Sequence, residues 1–310
     1  MAPVRVSVVM NCRNSAKYLR EAIDSVYAQT YSDWEIVFFD NQSTDDSAKI
    51  ARSYDSRLRY VLSDASVSLG EARNRALREC RGEFMAFLDC DDLWLSDKLE
   101  RQMAAFDKNP SVSFAHSNYL SFFPDGKENL MESETSFVEQ PFNKYLEKYP
   151  ISIATVVMRS SLLKEMKHWF DPELSLVEDY DFFMRALHHG AWVHYDGKPT
   201  VRYRVHDSNL SSLKRNEWGA EFEKTYRKFQ ELIPDFEVRY ATGAKKLRGK
   251  IAYLQARNRI NAGDSHGARR ALQEVKFKSP LLFGCYLLTF FPTEVWRGLY
   301  GGYIKVKSRF

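Results

Sequence analysis

The apolar positions of the chain change period as they run. Residues 4–10, 34–39, 58–62 and 84–88 are short apolar runs rich in Val, Ile, Phe and Tyr, a pattern that predicts four buried strands. Between the first two, Leu19, Ala22, Ile23 and Val26 fall at helical spacing across residues 15–29. Ser43 or Thr44, followed by Asp45 and Asp46, can open a second helix, and residues 70–80 form a third. Strands alternating with helices imply an α/β fold, its sheet largely parallel and covered on both faces. Ligands bind such sheets beyond the carboxyl ends of the strands, where Asn11, Asp40 and Asp89 all fall.

Beyond residue 110 the pattern is mixed. Residues 112–121, 153–159 and 199–205 read as strands, and 123–150 as a polar, irregular loop long enough to be functional. Residues 179–188 return to helical spacing through Tyr180, Phe183, Met184 and Leu187. From residue 216 the chain reads as helical. Residues 252–279, interrupted near Gly263 and Asp264, resemble one helix pair of tetratricopeptide type. A boundary is expected at 213–217, which divides the chain into 1–215 and a helical 216–310.

Composition changes this picture in one respect. With 44% hydrophobic and 28% charged residues the chain is an ordinary globular protein of 310 residues. Its net charge of +4 is unevenly spread: residues 214–310 hold 20 Lys and Arg against 9 Asp and Glu, so the body before them is acidic. A basic end region fits an anionic partner, either membrane or nucleic acid, or else a solvated helix face. Four scattered cysteines show no metal spacing and require no oxidising compartment. No secretory signal and no run long enough to span a bilayer are evident, which predicts a cytoplasmic protein.

The fourth apolar run ends in Asp89, Cys90, Asp91 and Asp92. Side chains alternate along an extended backbone, so Asp89 and Asp91 point to one side and repel each other unless a cation lies between them. Hard ions such as Mg²⁺ or Mn²⁺ take oxygen ligands and share them with phosphates. A polar turn closing the strand is the competing reading.

Seven segments in order carry a resemblance: residues 6–14 (VSVVMNCRN), 40–45 (DNQSTD), 72–74 (ARN), 81–84 (RGEF), 89–92 (DCDD), 178–181 (EDYD) and 203–209 (YRVHDSN). Together they resemble the landmarks of family 2 glycosyltransferases over about residues 4–213. The resemblance implies a GT-A fold, a Rossmann-like mixed and mostly parallel sheet flanked by helices, here with a helical C-terminal extension. It further implies a nucleotide-diphosphate-sugar donor, Mn²⁺ or Mg²⁺, and an inverting mechanism. The donor half would span about 1–110 and the acceptor half about 111–215.

Roles follow from that likeness. Asp91 would hold the metal, with Asp89 a second ligand or a contact to the ribose, and His206 a third ligand or a diphosphate contact. Asp92 would orient its neighbours or touch the donor sugar. Asn11, Arg13, Asp40, Asn41 and Arg73 would line the nucleotide site. Relatives often carry a second acid where Asn41 stands; an amide both accepts and donates, so uracil, guanine and thymine stay open. Arg13 replaces a stacking aromatic with a planar guanidinium. Asp179 would be the general base, with Glu178 its rival, unless the acidic run only caps its helix. Standing near a helix N-terminus, Asp179 is expected to have a lowered pKa.

Trp94, Trp169 and Trp192 either stack on a sugar or pack in the core. The tail from Phe283 through Trp296, Tyr300 and Tyr303 to Lys305, Lys307 and Arg309 suits an anionic headgroup layer through residues 281–310, or packs on the body. The activity expected is transfer of a hexosyl or hexosaminyl group to a glycan or lipid-linked acceptor, as in surface polysaccharide synthesis, from the inner face of the membrane. The alternatives are a nucleotidyltransferase, for which residues 11–18 lack a glycine-rich phosphate loop, and a non-catalytic scaffold using the C-terminal helices. No nucleic acid partner is expected.

Overall fold

A computed structural model of the chain describes residues 4–132 and 141–296. In chain order the elements are β1 (Val6–Cys12), α1 (Ala16–Tyr27), β2 (Trp34–Asp40), α2 (Ser47–Ala51), β3 (Leu58–Leu62), α3 (Leu69–Arg78), β4 (Phe84–Phe87), β5 (Leu93–Trp94), α4 (Lys98–Lys108), β6 (Phe114–Phe122) and β7 (Glu128–Met131). There follow α5 (Pro141–Glu147), β8 (Val157–Arg159), α6 (Ser160–Glu165), α7 (Glu178–His188), β9 (Val193–Arg204), α8 (Leu210–Leu213), α9 (Trp218–Leu232), α10 (Phe236–Arg239), α11 (Ala241–Asn261), α12 (Ser265–Gln273) and α13 (Pro280–Leu288). Contacts divide them into two units, one of residues 1–141 and 150–206, the other of 142–149 and 207–310.

In the first unit the described strands form one sheet in the order β3-β2-β1-β4-β8-β6-β9-β5, with β7 added to β6. β1, β2, β3 and β4 are mutually parallel, β8 runs antiparallel to β4 and β6, and β9 is parallel to β6. β1 and β2 are buried along almost their whole length because helices cover both faces, which is why they read as continuous apolar runs. Val6, Val8, Met10 and Cys12 share one core with Leu19, Ala22, Ile23 and Val26 of α1. The first amides of α1 are received by the next crossover: Ser15 N donates to Ser47 Oγ (3.0 Å) and Ala16 N to Asp45 Oδ2 (2.9 Å). Ser43 and Thr44 do not open the second helix. Its N-cap position is Asp46, and Ser43 is spent on the β1–α1 turn, where Asn14 N donates to its Oγ at 3.0 Å.

α3 is set by the segment leading into α7. A Cβ on Gly70 would lie 2.3 Å from the Asp171 carbonyl oxygen, so only glycine allows this approach. One turn on, Asn74 pairs with Phe170 like a strand residue, donating to its O at 2.8 Å and accepting from its N at 3.0 Å. These contacts bring the middle of α3 against the start of α7.

The polar stretch 123–150 is not wholly irregular. Its first part forms β7, and its last part α5, whose Phe142, Tyr145 and Leu146 are buried in the second unit. Residues 153–155 are a 3-10 turn, so the expected strand there is shortened to β8. In the second unit α11 and α12 pack antiparallel across Gly263, whose φ of +83° suits a residue without a Cβ. Ala252, Ala256, Ile260, Ala268, Leu272, Val275, Leu282, Cys285 and Trp296 make its core. Trp296 is buried there and is unavailable to a headgroup layer; Tyr300, Tyr303, Lys305, Lys307 and Arg309 lie outside the described residues. No helix among the described residues is long and apolar enough to cross a membrane.

Candidate active site

The carboxyl ends of β1, β2 and β4 converge as parallel strands must, and each carries polar residues there. Past β4 the chain turns at once, Asp92 N donating to the Asp89 carbonyl at 3.2 Å. The returning end of β9 closes on this turn through three bonds. Arg204 N donates to Asp92 Oδ1 (2.8 Å), Arg204 Nε donates to the Asp91 carbonyl (2.8 Å), and His206 Nε2 lies 3.0 Å from Asp91 Oδ2. The Arg204 guanidinium lies between the rings of Tyr18 and Phe122, 4.3 and 4.6 Å from their centroids, and donates to Glu21 at 2.8 Å. The His206 ring leans on Tyr18, with centroids 5.0 Å apart.

Three carboxylates share this turn, and two of them are displaced for it. Burial first, then repulsion from Asp89, holds the Asp91 carboxyl above the usual carboxylate range. Asp92 is pushed well above that range by burial and by both neighbours, and its Oδ2 is buried with no partner. Asp89 is the exposed member, its side chain 41% accessible and 3.5 Å from Arg73 Nη2. Among the described residues no three His, Cys, Asp or Glu side chains form a metal cluster by themselves. The assembled pair is Asp91 with His206. One hard oxygen ligand and one imidazole, in a pocket with excess negative charge, fit a divalent ion whose remaining ligands come from phosphate oxygens.

Arg73 joins this turn to α7. Its side chain is 5% exposed and pairs with Glu178, itself 4% exposed, while its other arm faces Asp89. Glu178 is therefore held as a buried partner of a guanidinium. Asp179, next to it, accepts only from the Tyr180 amide at 2.7 Å among the bonds resolved. Its carboxyl is raised to about 6, not lowered: burial outweighs the nearby Arg73 charge and the Tyr180 amide bond. The expectation from the helix N-terminus alone omitted this desolvation.

Of the residues expected at the nucleotide, Asp40 and Asn41 are held by neighbouring side chains and main chain. Asp40 accepts from Ser43 N (2.8 Å) and from the Tyr60 hydroxyl (2.6 Å). Asn41 donates to the Val67 carbonyl at 2.8 Å and accepts from the Val67 amide at 2.9 Å, which commits both ends of its amide to main chain. Asn11 Nδ2 is buried without a partner, and Arg13 is exposed. Asn14 and Gln42 take positive φ values of 56° and 62° at the two turns, where the Asn14 side chain accepts from the Thr44 amide.

Trp94 is a core residue, its Nε1 donating to the Ala154 carbonyl at 3.1 Å, and Trp169 donates to the Leu163 carbonyl at 2.9 Å. Trp192 is 52% exposed. The bonds of Arg204 to the aspartate turn were not anticipated from the sequence. Its place two residues before His206, at the end of a strand, was the available signal.

The family description "Glycosyl transferase family 2" matches residues 7–166. The chain is 30% identical over 220 residues to the Escherichia coli UDP-Glc:alpha-D-GlcNAc-diphosphoundecaprenol beta-1,3-glucosyltransferase WfgD, an alignment covering 70% of this chain and 84% of that protein. Among solved structures it resembles S. aureus TarS 1-349 in complex with UDP-GlcNAc, with a TM-score of 0.60, 19% identity and coverage of 95% and 92%. It also resembles the mannosyltransferase PcManGT from Pyrobaculum calidifontis in complex with GDP-Man and Mn²⁺, with a TM-score of 0.62, 17% identity and coverage of 96% and 84%. At these identities the two structures establish the shared fold, the GT-A arrangement.

Proposed function

The chain belongs to the family 2 glycosyl transferases, and from that premise we propose that it is an inverting, metal-dependent enzyme. Its donor is a nucleoside-diphosphate hexose or hexosamine, and its acceptor a hydroxyl of a lipid-linked glycan presented at the inner face of a membrane. The observation that carries this reading is Arg73. One buried guanidinium ties Glu178, at the start of α7, to Asp89 of the aspartate turn, so the base side and the donor side belong to one site. The acceptor class is supported by the diphosphoundecaprenol named for the Escherichia coli relative.

Asp91 and His206 would hold a divalent ion, which when bound neutralises the charge of the departing diphosphate. Asp89, the most accessible of the three carboxylates, would meet the donor's ribose or the same ion. Asp92 and Arg204 hold the turn in shape. Asp40 and Asn41 act on the nucleotide by fixing the loops around it, with Asn11 and Arg13 at its edge. Asp179 takes the proton from the acceptor hydroxyl as that oxygen attacks the anomeric carbon. With a carboxyl near 6 it is ionised at neutral pH yet basic enough to accept a proton in the transition state. Glu178, paired with Arg73, orients that helix end and holds no proton in transit.

Calorimetric titration with UDP, GDP, dTDP and CMP, each with Mn²⁺ and with chelator, tests the donor half. Binding of one diphosphate that disappears with chelator is expected and identifies the donor class. If none binds in the presence of metal, the chain is a scaffold that keeps the fold without the reaction.

A further inference from the structure

The exposed large apolar side chains of this protein are unevenly placed. Phe277, Leu281, Phe283, Leu287, Phe290 and Phe291 are all exposed within fifteen consecutive positions, Phe277 by 80%. They centre on α13, whose sequence PLLFGCYLL carries no charge and is apolar on every side. A helix apolar all round is ordinarily buried all round. Here Leu282 and Cys285 face the core of the second unit, while the opposite side meets water.

The chemistry around that face indicates what covers it. Lys276 lies over the rings of Phe277 and Tyr286, at 5.2 and 4.6 Å, and Arg269 lies 3.6 Å over the ring of Phe290. With Lys278 these place cations at the margin of the apolar surface, and Glu294 is the one acid in residues 275–296. Nine helical residues extend about 14 Å, half of what is needed to cross a hydrocarbon layer of about 30 Å. Such a helix lies on a bilayer. Aromatic and aliphatic side chains inserted below a ring of cations match the acyl and phosphate layers of an anionic lipid surface. A second copy of this chain fits poorly, because pairing the face with itself would set Lys276 and Lys278 against the same cations of the other copy, while the nearby acids Glu237 and Glu274 are already bonded to Arg248.

We propose that the outer face of α13, with Phe277 before it and Phe290 and Phe291 after it, docks the protein on an anionic phospholipid bilayer as a monotopic surface. The docking face thus lies within residues 276–291, and needs neither Trp296 nor the residues after it. The inference extends the lipid-linked acceptor reading, yet vesicle binding is scored without donor or acceptor, so failure here and failure of that reading are separate results.

The test is flotation of the full chain with vesicles of phosphatidylcholine alone and of phosphatidylcholine with phosphatidylglycerol. The wild type is expected to float with the anionic vesicles. Phe277→Ser, Leu281→Ser, Phe283→Ser and Phe291→Ser combined should lower the partition coefficient a hundredfold or more. Lys276→Gln with Lys278→Gln should lower it about thirtyfold on anionic vesicles only. Both variants should keep the circular dichroism of the wild type and its turnover on a water-soluble acceptor. Retained flotation of the quadruple variant overturns the proposal, as does a wild type that floats with neither vesicle. Sedimentation showing a wild-type dimer that the four serines dissolve, without vesicle binding, would assign the face to self-association instead.

Discussion

Replacing Asp179 by Asn separates what this residue costs the fold from what it contributes to catalysis. Its carboxyl is raised from 3.8 to about 6 by burial. About two units at roughly 1.4 kcal/mol each give an upper bound near 3 kcal/mol, and the side chain's partial exposure brings the expected figure to about 1–2 kcal/mol. The sign follows from proton linkage. An acid whose folded pKa lies above its unfolded value costs nothing below the unfolded pKa and its full penalty above the folded one. Wild-type stability therefore falls, for this group, as pH rises from about 4 to about 6. Asp179→Asn should be more stable than wild type by about 1–2 kcal/mol near pH 7.5, and equal to it below pH 4. Urea denaturation at both pH values, without metal or donor, reads the difference between the two proteins and cancels the other carboxylates. In the same preparation transfer should drop by a factor of about 10² to 10⁴, with nucleotide binding retained. The wild-type rate should rise through pH 6 and level above it. A difference between the two proteins no larger at pH 7.5 than at pH 4 would refute the burial argument. Normal turnover would remove Asp179 as the base.

Two further perturbations address the supports of the site. Arg73→Met leaves Glu178 as a buried charge without its partner and should destabilise by about 3–5 kcal/mol, whereas Arg73→Met with Glu178→Gln should recover most of that; thermal melts in a double-mutant cycle check the coupling, and additive losses would deny it. Arg204→Met frees the Asp91 carbonyl, and is expected to lower turnover at least tenfold and to raise the Mn²⁺ concentration needed for nucleotide binding. Arg204→Lys should not restore either quantity, because an ammonium cannot occupy the slot between Tyr18 and Phe122 as a planar group does; a full rescue by Lys would reduce the residue to a charge.

The front of the fold was legible because its strands are buried on both faces. Residues 6–12 and 34–40 are mostly apolar on both faces, Ser7, Asn11, Glu35 and Asp40 being the exceptions, and the period changes cleanly to that of α1. Legibility falls where burial is one-sided or shared. β7 is exposed along most of its length, so nothing in its composition distinguishes it from a loop, and α5 buries its apolar side chains in the second unit. Asp89 and Asp91 could be read from strand alternation and the other acidic landmarks from the family likeness, but not their surroundings. The commitment of Asn41 to Val67, the pairing of Glu178 with Arg73 and the grip of Arg204 on Asp91 join residues 26, 105 and 113 positions apart. No local pattern encodes a partner at that distance. The displaced carboxyl of Asp179 escaped for the same reason: a helix N-terminus is visible in sequence, while the desolvation that overrides it arises only when distant elements meet.

The order in which the chain leaves the ribosome gives the bond between Asp91 and His206 a temporal meaning. The two residues are 115 positions apart. At a synthesis rate of about 5–20 residues per second, the interval between them is roughly 6–23 s. Throughout it β1 to β4 can already assemble, since all four precede residue 91, but the aspartate turn has neither the imidazole nor the Arg204 clasp. The nascent protein thus carries the aspartate turn well before the residues that clasp it exist. That closure arrives with β9 as a single late event, and a polypeptide halted before residue 204 would display the fold's opening strands with the turn still open.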